Sequence, residues 1–145
     1  MVALCAPTSL QKVGDILLVT DADWLFDEVC ASLCNGETRV NRITESRDLR
    51  AAVAAVQPEL VILDSQVGSM GGIASCLDLR LEAGGGRMDH MRVLLLLDRD
   101  ADRWVAREAK ADGWLVKPID PFRLRKAHRA LVAGDSWFEG EPVPA

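Results

Sequence analysis

The sequence lacks the features of a membrane-spanning, zinc-binding or nucleic-acid-binding protein. Its longest apolar runs are about five residues, such as Val93 to Leu97, which is too short to span a bilayer. Its four cysteines and two histidines follow no metal-ligand spacing, so we predict cysteines that act as buried apolar side chains. The net charge of −5 argues against nucleic acid as the default partner, because phosphate contacts draw on clustered lysine and arginine.

The size and composition are typical of one globular domain. The chain has 145 residues, of which 49% are hydrophobic and 27% are charged. Residues 1–14 contain one lysine and lack a long apolar stretch, which is not typical of a signal peptide. We therefore expect a flexible N-terminal extension at 1–14, a folded domain at 15–134, a C-terminal tail at 135–145 and a cytoplasmic location.

Short apolar runs alternate with helical patterns along the whole chain. The clearest run, Leu60 to Asp64, is apolar on both faces, as in a parallel strand that is covered on each side. Ser46 is a predicted N-cap for the second helix, and Asp120 followed by Pro121 predicts the start of the fifth. The five predicted strands are 16–19, 39–44, 60–64, 92–97 and 114–116.

Five strands that alternate with five helices predict an α/β fold. We expect a single doubly wound (βα)5 flavodoxin-like domain, with a parallel five-stranded sheet of order 2-1-3-4-5. The second strand has only two large apolar residues, Val40 and Ile43, as suits a strand at the sheet edge. In open sheets of this kind the site lies beyond the carboxyl ends of the strands, where the strand order reverses.

Charged residues gather at that edge of the predicted sheet. Asp21 follows the first strand, Asp64 ends the third, Asp98 follows the fourth, and Lys117 ends the fifth. Neighbouring carboxylates repel each other unless a cation lies between them, and such oxygen ligands suit Mg²⁺. With the charge of Lys117, the group could stabilise a phosphoryl group that moves onto a carboxylate. Asp64 and Lys117 together therefore indicate a functional site rather than solvated turn residues.

These residues and their neighbours resemble the receiver domains of bacterial two-component response regulators, over roughly residues 15–132. Val-Ile-Leu-Asp64 is similar to the strand that carries the phosphoacceptor in that family, and Gly72 falls where the family places a glycine. Leu-Val-Lys117-Pro118 is similar to the Lys-Pro signature of the family, and Trp114 occupies its aromatic switch position.

The resemblance implies a role for each site residue. Asp64 would be phosphorylated with the help of Lys117. Mg²⁺ would be held by Asp21, Asp64 and the backbone carbonyl of Gln66. A hydroxyl at the end of the fourth strand would couple the phosphoryl group to the switch residue Trp114, and Leu97 and Asp98 occupy that position here.

The resemblance also implies partners. A stand-alone response regulator would receive the phosphoryl group from a histidine kinase or a phosphotransfer protein. It would signal to a protein effector through the face of its fourth helix, fifth strand and fifth helix. We expect neither a membrane nor nucleic acid as a partner, and no enzyme activity beyond self-catalysed phosphorylation. The fifth helix is basic, which suits either a solvated face or contact with an acidic partner.

Three positions depart from the family pattern. Thr20 replaces the first carboxylate of the acidic pair, although Asp23 is close enough in sequence to compensate. Gly68 replaces a usual proline. The fourth strand ends in Leu97-Asp98-Arg99 where the family has threonine or serine, and Asp98 would repel a phosphoryl oxygen unless a metal or Arg99 screened it.

Two other functions stay open from the sequence. A pseudo-receiver that is never phosphorylated and acts as a binding module would explain Thr20 and the missing hydroxyl of the fourth strand. A phosphatase of the haloacid-dehalogenase type would use Asp21 as its nucleophile, because Asp21-Ala-Asp23 follows an apolar strand. Against the phosphatase, Trp24-Leu25 stands where Gly-Thr is expected.

Overall fold

A computed structural model describes residues 3–5, 14–66 and 71–140. Strands and helices alternate along the chain, and a short 3-10 turn precedes α2 and another precedes α4. In chain order the elements are β1 (Ala3–Cys5), β2 (Gly14–Val19), α1 (Asp23–Leu33), β3 (Thr38–Ile43), α2 (Leu49–Val56), β4 (Leu60–Asp64), α3 (Gly72–Gly84), β5 (Val93–Leu97), α4 (Arg103–Glu108), β6 (Gly113–Val116), α5 (Pro121–Val132) and β7 (Trp137–Phe138).

The sheet has the predicted core topology. Its seven strands run in the order β1-β3-β2-β4-β5-β6-β7. The five central strands pair in parallel, so in sequence order they form the predicted 2-1-3-4-5 arrangement. The α/β doubly wound fold class is therefore confirmed, and the switch point lies between β2 and β4.

Two apolar layers hold the helices on opposite faces of the sheet. The side chains of β2 alternate between them, with Leu17 and Val19 on one face and Ile16 and Leu18 on the other, because successive strand residues point to opposite sides. The first layer packs α2, α3 and α4 against the sheet, and the second packs α1 and α5. Both faces of β4 and β5 are buried, which explains their continuous aliphatic sequences.

Short strands outside the predicted set close both edges of the sheet. β1 lies in the predicted N-terminal extension and pairs antiparallel with β3, so β3 is not the edge strand that its sequence suggested. β7 lies in the predicted C-terminal tail and pairs in parallel with β6. Most of the rest of the extension and residues 141–145 lie outside the described residues, as does Gly68.

The start of α2 differs from the prediction. Ser46 begins the 3-10 turn Ser46–Asp48, and α2 begins only at Leu49, so Ser46 is not the N-cap of this helix. Its hydroxyl is buried without a hydrogen-bond partner. The start of α5 is as predicted: the Asp120 carboxylate accepts hydrogen bonds from the backbone N–H groups of Phe122 and Arg123, and Pro121 is the first helical residue.

Among the described residues, no helix is both long and apolar enough to cross a membrane. Of the cysteines, Cys76 is buried in the first apolar layer, whereas Cys30 and Cys34 are half-buried beside the second.

Candidate functional site

The carboxyl ends of three neighbouring strands bring Asp64, Asp98 and Lys117 together. Asp64 is the last residue of β4, Asp98 follows β5, and Lys117 follows β6. The Nζ atom of Lys117 lies 2.6 Å from Oδ1 of Asp64 and 2.9 Å from Oδ1 of Asp98. One ammonium group is therefore shared by two carboxylates at the edge of the sheet where the sequence predicted the site.

Asp64 is almost completely buried and fully hydrogen-bonded. The residue is only 2% exposed. Oδ1 accepts hydrogen bonds from Lys117 and from the backbone N–H of Gln66, which lies 3.1 Å away. Oδ2 accepts a 2.7 Å hydrogen bond from the hydroxyl of Thr20. A buried carboxylate needs such partners, because an unpaired charge away from water is very costly.

Asp98 is held on both of its oxygens. Oδ1 faces Lys117, and Oδ2 accepts a 3.0 Å hydrogen bond from the hydroxyl of Ser65. Partial burial alone would raise the pKa of the Asp98 carboxyl, but the hydrogen bonds and the charge of Lys117, with further bonds from Ser65 and Gln66, lower it below its ordinary value. Asp98 is therefore a charged carboxylate next to the candidate phosphoacceptor.

Lys117 is the positive counterpart of both carboxylates. Burial by itself would lower the pKa of its ammonium group, yet the two hydrogen bonds and the two negative charges outweigh that effect and raise the pKa. The lysine is thus a fixed cation and not a proton donor near neutral pH. Such a group can stabilise negative charge that develops on Asp64 or on an atom bound to it.

Thr20 takes the place of the missing carboxylate and is itself held in place. Its hydroxyl oxygen accepts a hydrogen bond from the backbone N–H of Ala22 while donating to Asp64. The guanidinium of Arg42 donates to the carbonyl of Thr20 at 3.0 Å and to the carboxylate of Asp23 at 2.8 Å. Asp23 therefore pairs with Arg42, and the expectation that it compensates for Thr20 is not supported.

Asp21 and Gln66 lie just beyond the carboxyl ends of β2 and β4, the two strands at the switch point. Asp21 is exposed and lies one residue beyond Thr20, while Gln66 lies two residues beyond Asp64. Across residues 14–66 and 71–140, no three side chains of histidine, cysteine, aspartate and glutamate converge as a metal site. The predicted metal residues thus lie around one edge of the sheet without forming a closed side-chain cage.

Gly72 lies directly against the candidate phosphoacceptor. A Cβ atom at this position would come within 2.5 Å of the backbone carbonyl oxygen of Asp64. The first turn of α3 can approach β4 this closely only because the residue has no side chain. The glycine that the family resemblance singled out therefore has a steric reason here.

Two of the predicted switch residues, Leu97 and Trp114, are buried. Leu97 is completely buried in the first apolar layer, so it offers no hydrogen bond to the site. Trp114 is 1% exposed, its ring stacks on Phe138 with centroids 4.5 Å apart, and its indole N–H donates to the carbonyl of Glu139 at 3.0 Å. The Glu139 carboxylate also accepts from the backbone N–H of Val116 and pairs with Arg123. The C-terminal segment therefore fixes Trp114 in the buried position.

Sequence reasoning missed two polar contacts of the site and misplaced a third. Ser65, which orients Asp98, follows Asp64 directly, and its hydroxyl was the available signal. Arg42 is a charged residue within an otherwise half-apolar strand, which could have marked it as a buried partner. Arg99 does not screen Asp98, since its guanidinium pairs with Asp102.

Comparisons with known proteins bear on the fold of the chain. No family model matches the chain. It is 27% identical over 129 residues to the nitrate/nitrite response regulator protein NarL of Escherichia coli (strain K12), covering 88% of this chain and 58% of that protein. The chain spans about half the length of the curated response regulators it matches.

Solved structures share the fold. A two-component response regulator of the LuxR family from Aurantimonas sp. SI85-9A1 has a TM-score of 0.75 at 22% identity, covering 89% of this chain and 91% of the other. The BeF3-activated N-terminal receiver domain of RstA from Klebsiella pneumoniae has a TM-score of 0.71 at 24% identity, covering 82% and 98%. We conclude that this chain has the receiver-domain fold of bacterial response regulators, as the family resemblance predicted.

Proposed function

We propose that the domain accepts a phosphoryl group on Asp64 and signals through altered protein contacts. The observation that carries the proposal is the 2.6 Å contact between Lys117 Nζ and Asp64 Oδ1 at the carboxyl edge of the sheet. A phosphoacceptor carboxylate needs a fixed positive charge beside it, since phosphoryl transfer depends mainly on positioning and charge neutralisation. The domain would be modified itself and would not turn over a separate substrate.

The reaction can be written in terms of this chain's own residues. A carboxylate oxygen of Asp64 attacks the phosphorus atom of a phosphohistidine or a small phosphodonor, in line with the leaving group. A P–O bond forms as the P–N bond, or the P–O bond of the small donor, breaks, and the leaving group keeps the electron pair. Lys117 then pairs with the new phosphoryl oxygens, which carry most of the negative charge.

Thr20 would take part in the same step through its hydrogen bond. Its hydroxyl donates to Oδ2 of Asp64, and so it orients the carboxylate before attack. The backbone N–H of Gln66 holds the other oxygen. If Oδ1 is the attacking oxygen, Lys117 must shift from it to the phosphoryl group; if Oδ2 attacks, the Thr20 hydroxyl must turn away.

The donor types around Asp64 fit Mg²⁺. The carboxylates of Asp21 and Asp64 and the carbonyl of Gln66 are hard oxygen ligands, and Mg²⁺ is commonly bound through one or two carboxylates with water completing its shell. When bound, the metal would neutralise charge on the phosphoryl oxygens. With Thr20 in place of a third carboxylate, we propose that these three residues hold the ion.

A histidine kinase or a phosphotransfer protein is the proposed phosphodonor, which implies a cytoplasmic location. The effector would meet the face formed by α4, β6 and α5. On that face β7 lines the edge of β6, and the exposed part of α5 carries Arg125, Lys126 and Arg129. An effector with an acidic surface would suit these side chains.

The proposal is tested by mass. The whole chain is incubated with Mg²⁺ and acetyl phosphate, and its intact mass is measured. We expect a gain of one phosphoryl group that disappears in Asp64→Asn and without Mg²⁺. Asp21→Asn is expected to retain Asp64 as the acceptor but to require more Mg²⁺, because one metal carboxylate is lost.

Two outcomes would contradict the proposal. No mass gain with any small donor, together with no binding of beryllofluoride, would favour the pseudo-receiver, for which the Thr20–Asp64 hydrogen bond and the occupation of Lys117 by Asp98 are the supporting observations. A mass gain that persists in Asp64→Asn but disappears in Asp21→Asn would favour the phosphatase alternative. In that case Asp21 would be the nucleophile.

A further inference from the structure

Lys117 has two carboxylate partners, although only one of them belongs to the phosphoacceptor. Its Nζ atom lies 2.6 Å from Asp64 and 2.9 Å from Asp98, and both contacts are within hydrogen-bond distance. The family resemblance implies a neutral hydroxyl near this position. Here the Asp98 carboxylate accepts a hydrogen bond from Lys117 that a phosphoryl oxygen would otherwise accept.

Asp98 is fixed in that position by a second contact. Its other oxygen accepts a hydrogen bond from Ser65, the residue after the phosphoacceptor. The carboxylates of Asp64 and Asp98 therefore contact the same ammonium group. They are also linked through Ser65, which follows Asp64 and donates to Asp98. Arg99, the nearest basic residue in sequence, pairs with Asp102 and leaves the charge of Asp98 to Lys117.

Phosphorylation would change the charge balance of this cluster. A phosphoryl group carries close to two negative charges at neutral pH, and Asp64 and Asp98 already share the positive charge of Lys117. The new oxygens would compete with Asp98 for the lysine and would be repelled by its carboxylate. At separations of a few ångströms, a like charge at a protein surface weakens binding of an anion substantially.

We propose that Asp98 is a positioning residue that limits phosphorylation of Asp64, by holding Lys117 and by repelling the incoming phosphoryl oxygens. The inference rests on the proposed function of Asp64. In the unphosphorylated domain, Lys117 is already paired with two carboxylates. Phosphorylation then requires a cation or a partner that offsets the second carboxylate, so Asp98 sets how readily Asp64 is modified and how long it stays so.

The test compares charge with shape at position 98. Binding of beryllofluoride in the presence of Mg²⁺ is measured by calorimetry on the whole chain for wild type, Asp98→Asn, Asp98→Thr and Asp98→Glu. We expect roughly tenfold tighter binding in the asparagine and threonine variants, because both remove the like charge. The glutamate variant keeps the charge and is expected to bind no more tightly than wild type. The phosphoryl lifetime, followed by intact mass, should lengthen in the same two variants.

A merely structural role for Asp98 makes a different prediction. In that case all three variants would bind more weakly, in proportion to their loss of thermal stability, and this result would overturn the inference. So would unchanged binding in Asp98→Asn and Asp98→Thr when the wild type binds. If neither wild type nor these variants binds beryllofluoride or gains mass, the proposed function itself fails. Should the asparagine variant not fold, the threonine variant decides.

Discussion

At the scale of single residues, the sequence predicts the positions of some side chains of the site but not of others. Asp64 and Lys117 meet because each stands at the carboxyl end of a parallel strand, and the hydrophobic pattern predicts those ends. The contact of Asp98 with Lys117 was not predicted, since the direction of a side chain just after a strand depends on the loop that follows. The sequence predicted that Asp98 would repel a phosphoryl oxygen unless a metal or Arg99 screened it, and Lys117 was not named as its partner.

Gly72 gives the sharpest prediction at this scale. Replacing it by alanine would place a Cβ atom 2.5 Å from the carbonyl oxygen of Asp64, so either α3 or the end of β4 must move. We expect Gly72→Ala to lower the free energy of unfolding by about 1–3 kcal/mol, as overpacking does. We also expect it to reduce phosphorylation by acetyl phosphate more than stability alone explains.

Gly84→Ala is the matched control for this substitution. It lies in the same helix, and a Cβ atom there would have no neighbour within 4 Å. Alanine favours the helix, so stability should stay unchanged or rise by up to about 1 kcal/mol. Urea unfolding of both variants measures the difference. Equal effects at the two positions would show that the close approach of Gly72 to Asp64 has no energetic weight.

At the scale of secondary structure elements, those with long apolar patterns were predicted correctly, whereas the two short strands were not predicted. Five strands and five helices follow from runs of buried residues. β1 and β7 have three and two residues, and segments so short carry no periodicity from which to predict them. The 3-10 turn at Ser46 illustrates a related limit, because a serine before an apolar pattern signals an N-cap but does not fix which turn begins the helix.

Glu139 adds contacts to the two-residue ladder that attaches β7 to β6. The Glu139 carboxylate accepts a 3.0 Å hydrogen bond from the backbone N–H of Val116 and pairs with Arg123, while its carbonyl accepts from Trp114. We expect Glu139→Ala to cost about 1–2 kcal/mol of unfolding free energy, because it leaves a donor of β6 without its partner. Urea unfolding measures this cost.

Glu45→Ala serves as the control for that experiment. Glu45 also pairs with an arginine, Arg47, but both side chains are largely exposed. Exposed pairs of this kind contribute little, so we expect a change within about 0.5 kcal/mol. If the two variants lose the same stability, the Glu139 contacts do not anchor β7.

At the scale of the whole molecule, the charge cluster links stability to pH. The pKa of Asp98 is lowered on folding from its ordinary value of 3.8. A depressed pKa contributes stability that is present above the unfolded value and is lost as the pH falls through the folded one. The pKa of Lys117 is raised from 10.5, and its contribution is lost as the pH rises through the higher folded value.

The expected stability curve is therefore flat across neutral pH and falls at both extremes. The difference in unfolding free energy between wild type and Asp98→Asn should be constant from about pH 5 to 9 and should change below about pH 4, where the carboxyl group titrates in the unfolded chain. Urea unfolding across this range at fixed ionic strength measures it. A difference that does not vary in acid would mean that Asp98 is not held as a charged group.

The buried position of Trp114 has a consequence for how the protein can be observed. Two of the four tryptophans, Trp24 and Trp104, are exposed, whereas Trp114 lies in the core against Phe138 and three residues before Lys117. The fluorescence of an indole ring shifts to shorter wavelength away from water. Trp114 is therefore expected to emit at a shorter wavelength than the two exposed rings. The chain thus contains its own optical reporter beside the site, and a rearrangement that reaches β6 can be followed in unlabelled protein by its fluorescence.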